Sequence, residues 1–479
     1  MIPHLVYYQL AIVGCLWLCF MLHYAWPSRS APSPQQPNER VPARFKRQRT
    51  SEPKPFAGLT QRPSCAACDS EAHHPPPPPP RRPDPMPATN RRPCVIDTSM
   101  HFCPHKDCEY RGWPGLGNLR ANGHPSGGPG RQLYCRSCQG YFLETHGTIF
   151  HGKRLSVELI VRVLACLAEG LGIRATARVF EVDANTVLPW LVEAAEQLQA
   201  FTSYFLCDVH VHQLQLEELY AVLRGFRDGE LSAEQALQHL EPGRPWVWTA
   251  IDPVNKVLLA IEVGPRTAEM AQRVVHHIVN VLAPGCVPAW FTDGFKGYLP
   301  AIVGHCGEWM PPERRQDKGP RRKPRWMPLP GLLYAQVVKQ YRRKRMVGVK
   351  HRVVLGTMEA VAQVLAACGW KINTSMVERL NLDLRQRVAA IGRRVNTLCQ
   401  GEEGLQHQLV LFHGYYNFVL PHASLRQPLL VPEPTHGMGS ARVWRPYTPA
   451  MAAGLTDHVW TLREVLLYRV PPWPQPHAV

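Results

Sequence analysis

Residues 289–298 read Ala-Trp-Phe-Thr-Asp-Gly-Phe-Lys-Gly-Tyr, a short apolar run that ends at Asp293-Gly294. The run and its turn predict a strand, Ala289 to Thr292, that delivers an acid at its C-terminal end. Upstream, Thr267 to Leu282 reads as an amphipathic helix, and Trp246 to Ile251 with Val257 to Val263 as a hairpin pair joined by Asp252-Pro-Val-Asn-Lys256. Earlier still, His210 to Leu223 alternates around Glu217-Glu218-Leu219-Tyr220. Three strands, a helix and a fourth strand predict a mixed sheet flanked by helices. Downstream, Thr374 to Ile391 predicts a helix with Met376 or Val377, Leu380, Leu384, Val388 and Ile391 on its core side and Glu378 near its first turn.

Chemistry therefore concentrates at three acids: Glu217 on the first strand, Asp293 at the end of a later one, and Glu378 on a helix. Three converging carboxylates can hold two divalent ions, which activate an attacking hydroxyl and stabilise the leaving oxygen in phosphoryl transfer. Taken singly, each also fits an ordinary surface acid. Between Arg314 and Arg352 the sequence holds 14 Lys and Arg and one acid, Asp317, with Trp326, Tyr334 and Tyr341 interleaved. A dense basic surface that includes Arg342 and Arg343 suits a phosphate backbone, and binding through it falls steeply with salt. The plain alternative is a solvated loop; its place between Asp293 and Glu378 favours DNA.

Composition sets the frame. The chain has 479 residues, 54 Lys and Arg against 37 Asp and Glu, and a formal net charge of +17, which points to a polyanionic partner, nucleic acid or anionic lipid. At 45% hydrophobic residues it is neither wholly disordered nor a polytopic membrane protein. Its length predicts two or three globular units with linkers.

Of the 15 cysteines, Cys166, Cys207, Cys286, Cys306, Cys368 and Cys399 stand alone in apolar surroundings and read as buried reduced thiols in a reducing compartment. Cys103-Pro-His-Lys-Asp-Cys108 and Cys135-Arg-Ser-Cys138 are different, because two thiolate pairs on tight turns offer the four sulfurs of a tetrahedral structural zinc. The reading is a zinc ribbon over residues 98–150, closed and therefore structural. Lys153 to Leu198 follows as helices: Leu159, Ile160, Val163, Leu164 and Leu167 at helical spacing, a stop at Gly170-Leu-Gly172, a short helix Ile173 to Phe180, and a third helix N-capped by Asp183. This helix-turn-helix, residues 151–200, puts Asn185 and Thr186 where base and phosphate contacts are made. Pro189 inside the third helix removes an amide donor and predicts a kink.

The N-terminus is separate. Leu5 to Trp26 is a run of 22 uncharged residues broken by Gln9 and His23, long enough to span a bilayer, so residues 1–28 predict a transmembrane anchor. Arg29, Arg40, Arg44, Lys46, Arg47 and Arg49 behind it place the rest of the chain in the cytoplasm, tethered to the inner membrane; a buried helix is the alternative. From Pro27 to Asp97 there are 18 prolines in 71 residues, which predicts an extended, disordered linker over residues 29–97. Within it Cys65 and Cys68 with His73 and His74 could complete a small zinc site, though nothing around them forms a core.

Residues 216–223 (LEELYAVL), 291–298 (FTDGFKGY) and 373–398 (NTSMVERLNLDLRQRVAAIGRRVNTL), with 415–425 and 448–466 behind them, resemble the DDE transposases of bacterial insertion elements, in the insertion-sequence-one group. The resemblance runs from about residue 98 to 465. It implies a multidomain α+β protein whose catalytic domain, residues 205–425, is RNase H-like, followed by a C-terminal tail, residues 426–479. It implies magnesium- or manganese-dependent cutting and joining of double-stranded DNA at element ends and target, by a homo-oligomer and with no small-molecule substrate. By position, Asp293 matches the second catalytic acid and metal ligand, Glu378 the third, and Arg385, Arg393 and Arg394 the DNA-contacting basic helix. The family's first acid is an Asp followed by Glu; here Glu217 and Glu218 stand there. Two functions therefore stay open: a transposase, or a membrane-tethered DNA-binding protein whose catalytic site has decayed.

Overall fold

Why the central sheet forms is visible in its first strand, where Leu214 and Leu216 point to one face and Gln215, Glu217 and Leu219 to the other. The computed structural model describes residues 98–124, 131–223, 245–311, 323–343, 345–367, 374–392, 399, 401–434 and 439–472. The hydrophobic run at residues 5–26, the Pro-rich segment with Cys65, Cys68, His73 and His74, and Arg393 and Arg394 lie outside them. Among the described residues no helix is long and apolar enough to cross a membrane.

A small three-stranded antiparallel sheet comes first, β1 (Leu119–Ala121), β2 (Gln132–Cys135) and β3 (Tyr141–Leu143). Three helices follow, α1 (Val157–Ala168), α2 (Ile173–Val179) and α3 (Ala184–Phe205). Asp183 caps α3 as expected, its carboxylate accepting the Asn185 amide at 2.7 Å. Pro189 does not end α3, which continues as one helix of 22 residues. Its ring sits on the exposed side, near the exposed Asn185 whose carbonyl loses an amide partner.

The main sheet is mixed. β4 (Gln213–Tyr220), β5 (Trp246–Ile251) and β6 (Leu258–Gly264) form an antiparallel meander; α4 (Ala268–Val281) then crosses to β7 (Ala289–Thr292), which lies parallel to β4. After α5 (Tyr298–His305) and a short hairpin, β8 (Gly307–Met310) with β9 (Arg325–Pro328), β10 (Tyr334–Arg342) joins parallel to β7 and β11 (Arg345–Leu355) closes the edge. The spatial order is β11, β10, β7, β4, β5, β6. One face packs Leu214, Leu216, Trp248 and Leu259 against α4 and α5. The other packs Leu219, Val247 and Leu258 against α7 (Ser375–Arg387) and α8 (Glu402–Gly414), while α6 (Met358–Ala367) covers the β7 and β10 end.

Two expectations are corrected, and the plain alternative of a solvated loop does not hold throughout Arg314 to Arg352: Tyr334, Ala335 and Val337 are buried, and β10 is an inner strand of the sheet. The helix carrying Glu378 stops at Arg387, and Val388 and Ile391 reach the core from the turn beyond it. The C-terminal residues are not a tail. After the exposed hairpin β12 (Gln427–Glu433) and β13 (Arg442–Arg445), α9 (Pro449–Ala452) and α10 (Leu462–Leu467) place Ala450, Trp460, Leu462, Val465 and Leu466 in one core with α1, α3 and α8.

Edge strand β6 is tied to α8 by side chains that replace a missing strand. Asn417, fully buried in the π-helical turn after α8, accepts the Leu258 amide at 3.0 Å and donates to the Leu258 carbonyl at 2.8 Å. His413 reaches the same carbonyl at 2.6 Å, and burial pulls its imidazole down to about 4. Truncating Asn417 leaves a buried amide unsatisfied, a cost of about 1–3 kcal/mol. Asn417→Ala is therefore expected to lower the thermal midpoint by several degrees in circular dichroism, and an unchanged midpoint refutes the clamp.

Candidate functional site

Gln215 is where the site begins. Its side chain projects from β4 toward α7, and its amide oxygen accepts the backbone N–H groups of Met376 and Val377 at 3.1 and 3.2 Å. These are among the first-turn amides that a helix cannot satisfy internally. The strand thereby caps the helix, and two residues on, along the same face, Glu217 meets Glu378. The two carboxylates share the Lys339 ammonium, which lies 3.4 Å from Glu217 Oε1 and 2.6 Å from Glu378 Oε1. Asn381, one turn past Glu378, donates to Glu217 Oε2 at 2.9 Å.

Glu218, on the opposite face of β4, joins Asp293 instead. Arg266, two residues past β6, donates through Nε to Glu218 Oε2 at 2.9 Å and through Nη2 to Asp293 Oδ2 at 2.9 Å, with its guanidinium 4.5 Å over the Phe295 ring. Asp293 Oδ1 accepts the Phe295 amide at 2.8 Å, the Asx turn of the Asp-Gly sequence. Beneath it, the buried hydroxyls of Thr292 and Tyr334 meet at 2.9 Å and pin β7 to β10. Glu217, Asp293, Arg266 and Lys339 line one open cleft of about 560 Å³, with Phe295 and Lys296.

Electrostatics separates the two neighbouring glutamates. Burial raises Glu217; Lys339 opposes this, while Glu378 and Asp293 both push it further up. Glu217 is thus the carboxylate that feels both other acids. Burial lifts Glu218 to about 7, with Asp293 adding to the rise and Arg266 opposing it. Burial works against the charge on Lys339, but Glu378 and Glu217 outweigh it and its ammonium ends above the usual value.

The structure brings Glu217, Asp293 and Glu378 to the same end of the sheet, and adds Arg266, Lys339, Gln215 and Asn381. The Lys339 signal was present in Tyr334-Ala-Gln-Val-Val-Lys-Gln-Tyr-Arg342, a strand pattern hidden by the surrounding basic residues. Beyond Gln336, its last pair with β7, β10 runs on with β11 as an overhanging hairpin. Arg342 and Arg343 are exposed at its tip, and Lys350 and Arg352 on its return strand. Arg385 is half-buried on α7, and Arg387 pairs with Glu169 at the end of α1. Asn185 is exposed and Thr186 half-buried at the start of α3.

Away from the cleft, Cys103, Cys108, Cys135 and Cys138 converge, with Cys103 and Cys138 sulfurs 3.6 Å apart, Cys108 and Cys135 sulfurs 3.7 Å apart, and all four within 4.8 Å. A tetrahedron with metal–sulfur bonds of about 2.3 Å has edges of about 3.8 Å. The set therefore fits a zinc ion. Asn118 Nδ2 donates to Cys135 Sγ at 3.4 Å, and hydrogen bonding from Cys103 holds the Cys135 thiol down to about 4. Among the described residues no other group of three or more His, Cys, Asp or Glu side chains brings its ligand atoms that close.

No protein-family model matches the chain, and no curated protein matches it. Among solved structures, the Mos1 strand transfer complex is 14% identical over 32% of this chain and 56% of that chain, with a TM-score of 0.13. The Mos1 transposase paired-end complex with left transposon end is 13% identical over 32% and 58%, with a TM-score of 0.13. Scores of this size establish no shared fold, and the chain spans little more than half the length of those chains.

Two measurements follow from these geometries. Elemental analysis should find about one zinc per chain, lost in Cys135→Ser; a folded protein without zinc contradicts the four-sulfur site. Glu218 titrates higher folded than unfolded, so its ionisation opposes folding: the penalty is absent below about pH 4.5 and complete above about pH 7. Glu218→Gln is therefore expected to raise the thermal midpoint at pH 8 and to lose that advantage near pH 4.5. An equal effect at both pH values would remove the burial argument.

Proposed function

We propose that the chain is a DDE-type transposase that binds the ends of an insertion element and catalyses metal-dependent DNA strand cleavage and strand transfer. The carrying observation is the placement of Glu217, in the middle strand of the sheet, where Asp293 from a parallel neighbour and Glu378 from a capping helix both act on it. An antiparallel meander followed by two parallel strands, in the order β6, β5, β4, β7, β10, supports the reading of an RNase H-like core.

Each part then has a task. Glu217, Asp293 and Glu378 offer hard oxygen donors, the chemistry that magnesium or manganese requires, and these three would hold it. When bound, such ions activate the attacking hydroxyl and stabilise the leaving oxygen. Gln215 fixes the distance between the strand and helix acids, since its amide spans the gap between β4 and the first turn of α7. The basic β10–β11 hairpin, with the exposed Arg342 and Arg343 at its tip, would hold the phosphate backbone beside the cleft. The helix-turn-helix of α1, α2 and α3 presents Asn185 and Thr186 to the duplex, and the zinc ribbon ahead of it adds a second DNA-facing element. Arg385, with Arg393 and Arg394, extends backbone contact beyond α7. Assembly as a homo-oligomer on DNA, and a cytoplasmic protein tethered to the inner membrane through residues 5–26, complete the proposal.

One observation favours the second reading, DNA binding without cutting. Glu217 stands where the family has Asp, and its extra methylene moves the carboxylate by about 1.5 Å, against a tolerance of about 0.5 Å in a catalytic constellation. Positioning supplies most of the rate in phosphoryl transfer. The test is strand transfer by purified, zinc-loaded protein with cognate element ends, with and without magnesium. Weak magnesium-dependent cleavage is expected, raised tenfold or more by Glu217→Asp and abolished by Asp293→Ala and Glu378→Ala. Parental cleavage by Glu217→Ala removes Glu217 from the site, and DNA binding without cleavage in every variant selects the second reading.

A further inference from the structure

Two cations already sit among the four carboxylates, and they are not equivalent. Arg266 bridges Glu218 and Asp293 with its guanidinium stacked on Phe295 and within reach of Trp246, 5.3 Å to the ring. It is held by rings as well as by charge. Lys339 bridges Glu217 and Glu378 by its ammonium alone, at the end of a flexible stem on β10. It occupies the space between the strand acid and the helix acid.

The spacing of the acids matches this. Their oxygens do not gather as the four cysteine sulfurs do, because an ammonium lies between each approaching pair or a guanidinium does. Two ionised carboxylates that share one ammonium repel each other when that counter-charge is lost. A cation at this place relieves the repulsion. Lysine supplies it when nothing else does.

We infer that Lys339 is an internal, displaceable counter-ion that holds the metal position between Glu217 and Glu378, so that a divalent ion enters only by expelling the lysine ammonium. This rests on the proposed reading of the cleft as a divalent-cation site. Lys339 is a positioning residue in that scheme: it keeps the two acids ionised and aligned, and competes with the metal for them. Once expelled, the ammonium is released three residues from Arg342, about 10 Å along the same strand, toward the side from which the phosphate backbone arrives. Metal entry and DNA entry would then reinforce each other, because each gives the system what the other removes: the metal frees a cation, and the phosphate receives it.

The experiment is calorimetric titration of the zinc-loaded full chain with manganese, without DNA. Lys339→Met is expected to bind manganese at least tenfold more tightly than the parent, and Lys339→Arg to stay close to the parent because the charge is kept. In the absence of manganese, Lys339→Met should have a lower thermal midpoint, which manganese restores by a larger margin than in the parent. Circular dichroism checks that each variant is folded. If Lys339→Met binds manganese no more tightly than the parent, including the case in which neither binds, the counter-ion role is overturned. Loss of duplex affinity in Lys339→Met with unchanged manganese affinity also overturns it, and assigns the lysine to the phosphate backbone. Glu217→Gln and Glu378→Gln separate the two levels. If they abolish manganese binding while Lys339→Met leaves it unchanged, only the lysine inference fails. If manganese binds equally to both, the cleft is not the metal site, and the functional reading fails with it.

Discussion

Like charges brought together under partial cover need counter-charges, and that constraint organises the cleft. Glu217, Glu218, Asp293 and Glu378 meet at one end of a six-stranded sheet, and four carboxylates face two cations there. Both cations come from the sheet region itself, Arg266 from just past β6 and Lys339 from β10, so the acids are partly neutralised from strands far apart in sequence. Strand β10 could not be shifted by one residue against β7 without turning Lys339 to the wrong face.

The same sheet explains how the acids can be ordered while remaining partly open to water. Gln215 caps α7, Asn417 and His413 clamp the edge of β6, and Thr292 with Tyr334 joins β7 to β10. Two of these are buried polar contacts between a strand and the helical layer on it, and the third joins two neighbouring strands. Such contacts specify one arrangement where apolar packing alone would tolerate several.

Much of this was legible in the sequence, for reasons that differ between elements. The strands Trp246–Ile251 and Ala289–Thr292 fall where apolar runs bounded by turn residues placed them, because a fully buried strand has no way to hide its composition. Asp183 and the cysteine pairs were readable because capping and metal ligation demand particular side chains at fixed spacing. β10 was not, because a strand that is buried at one end and basic at the other has no single pattern, and its buried half is only four residues long from Tyr334 to Val337. Arg266 and Lys339 share that difficulty: each is set by a partner from another strand, and local sequence carries no trace of a partner. The C-terminal helices were missed for a related reason. α10 has six residues, too few to show a helical repeat, and its Leu462, Val465 and Leu466 matter only once α3 is beside them.

That packing of α3 has a mechanical meaning. The helix runs for 22 residues, about 33 Å of rise, with its first turn at the surface and Phe201 and Phe205 at its far end packed against Phe418, Trp460 and Tyr468. Phe418 belongs to the same turn as Asn417, which grips β6. The end of the helix that faces outward is therefore joined by continuous helix and ring packing to the sheet that carries the acids. On the proposed function, a duplex engaged at the outer end would be presented to the cleft at one offset, as by a ruler, and that offset would be a property of the fold and not of the DNA.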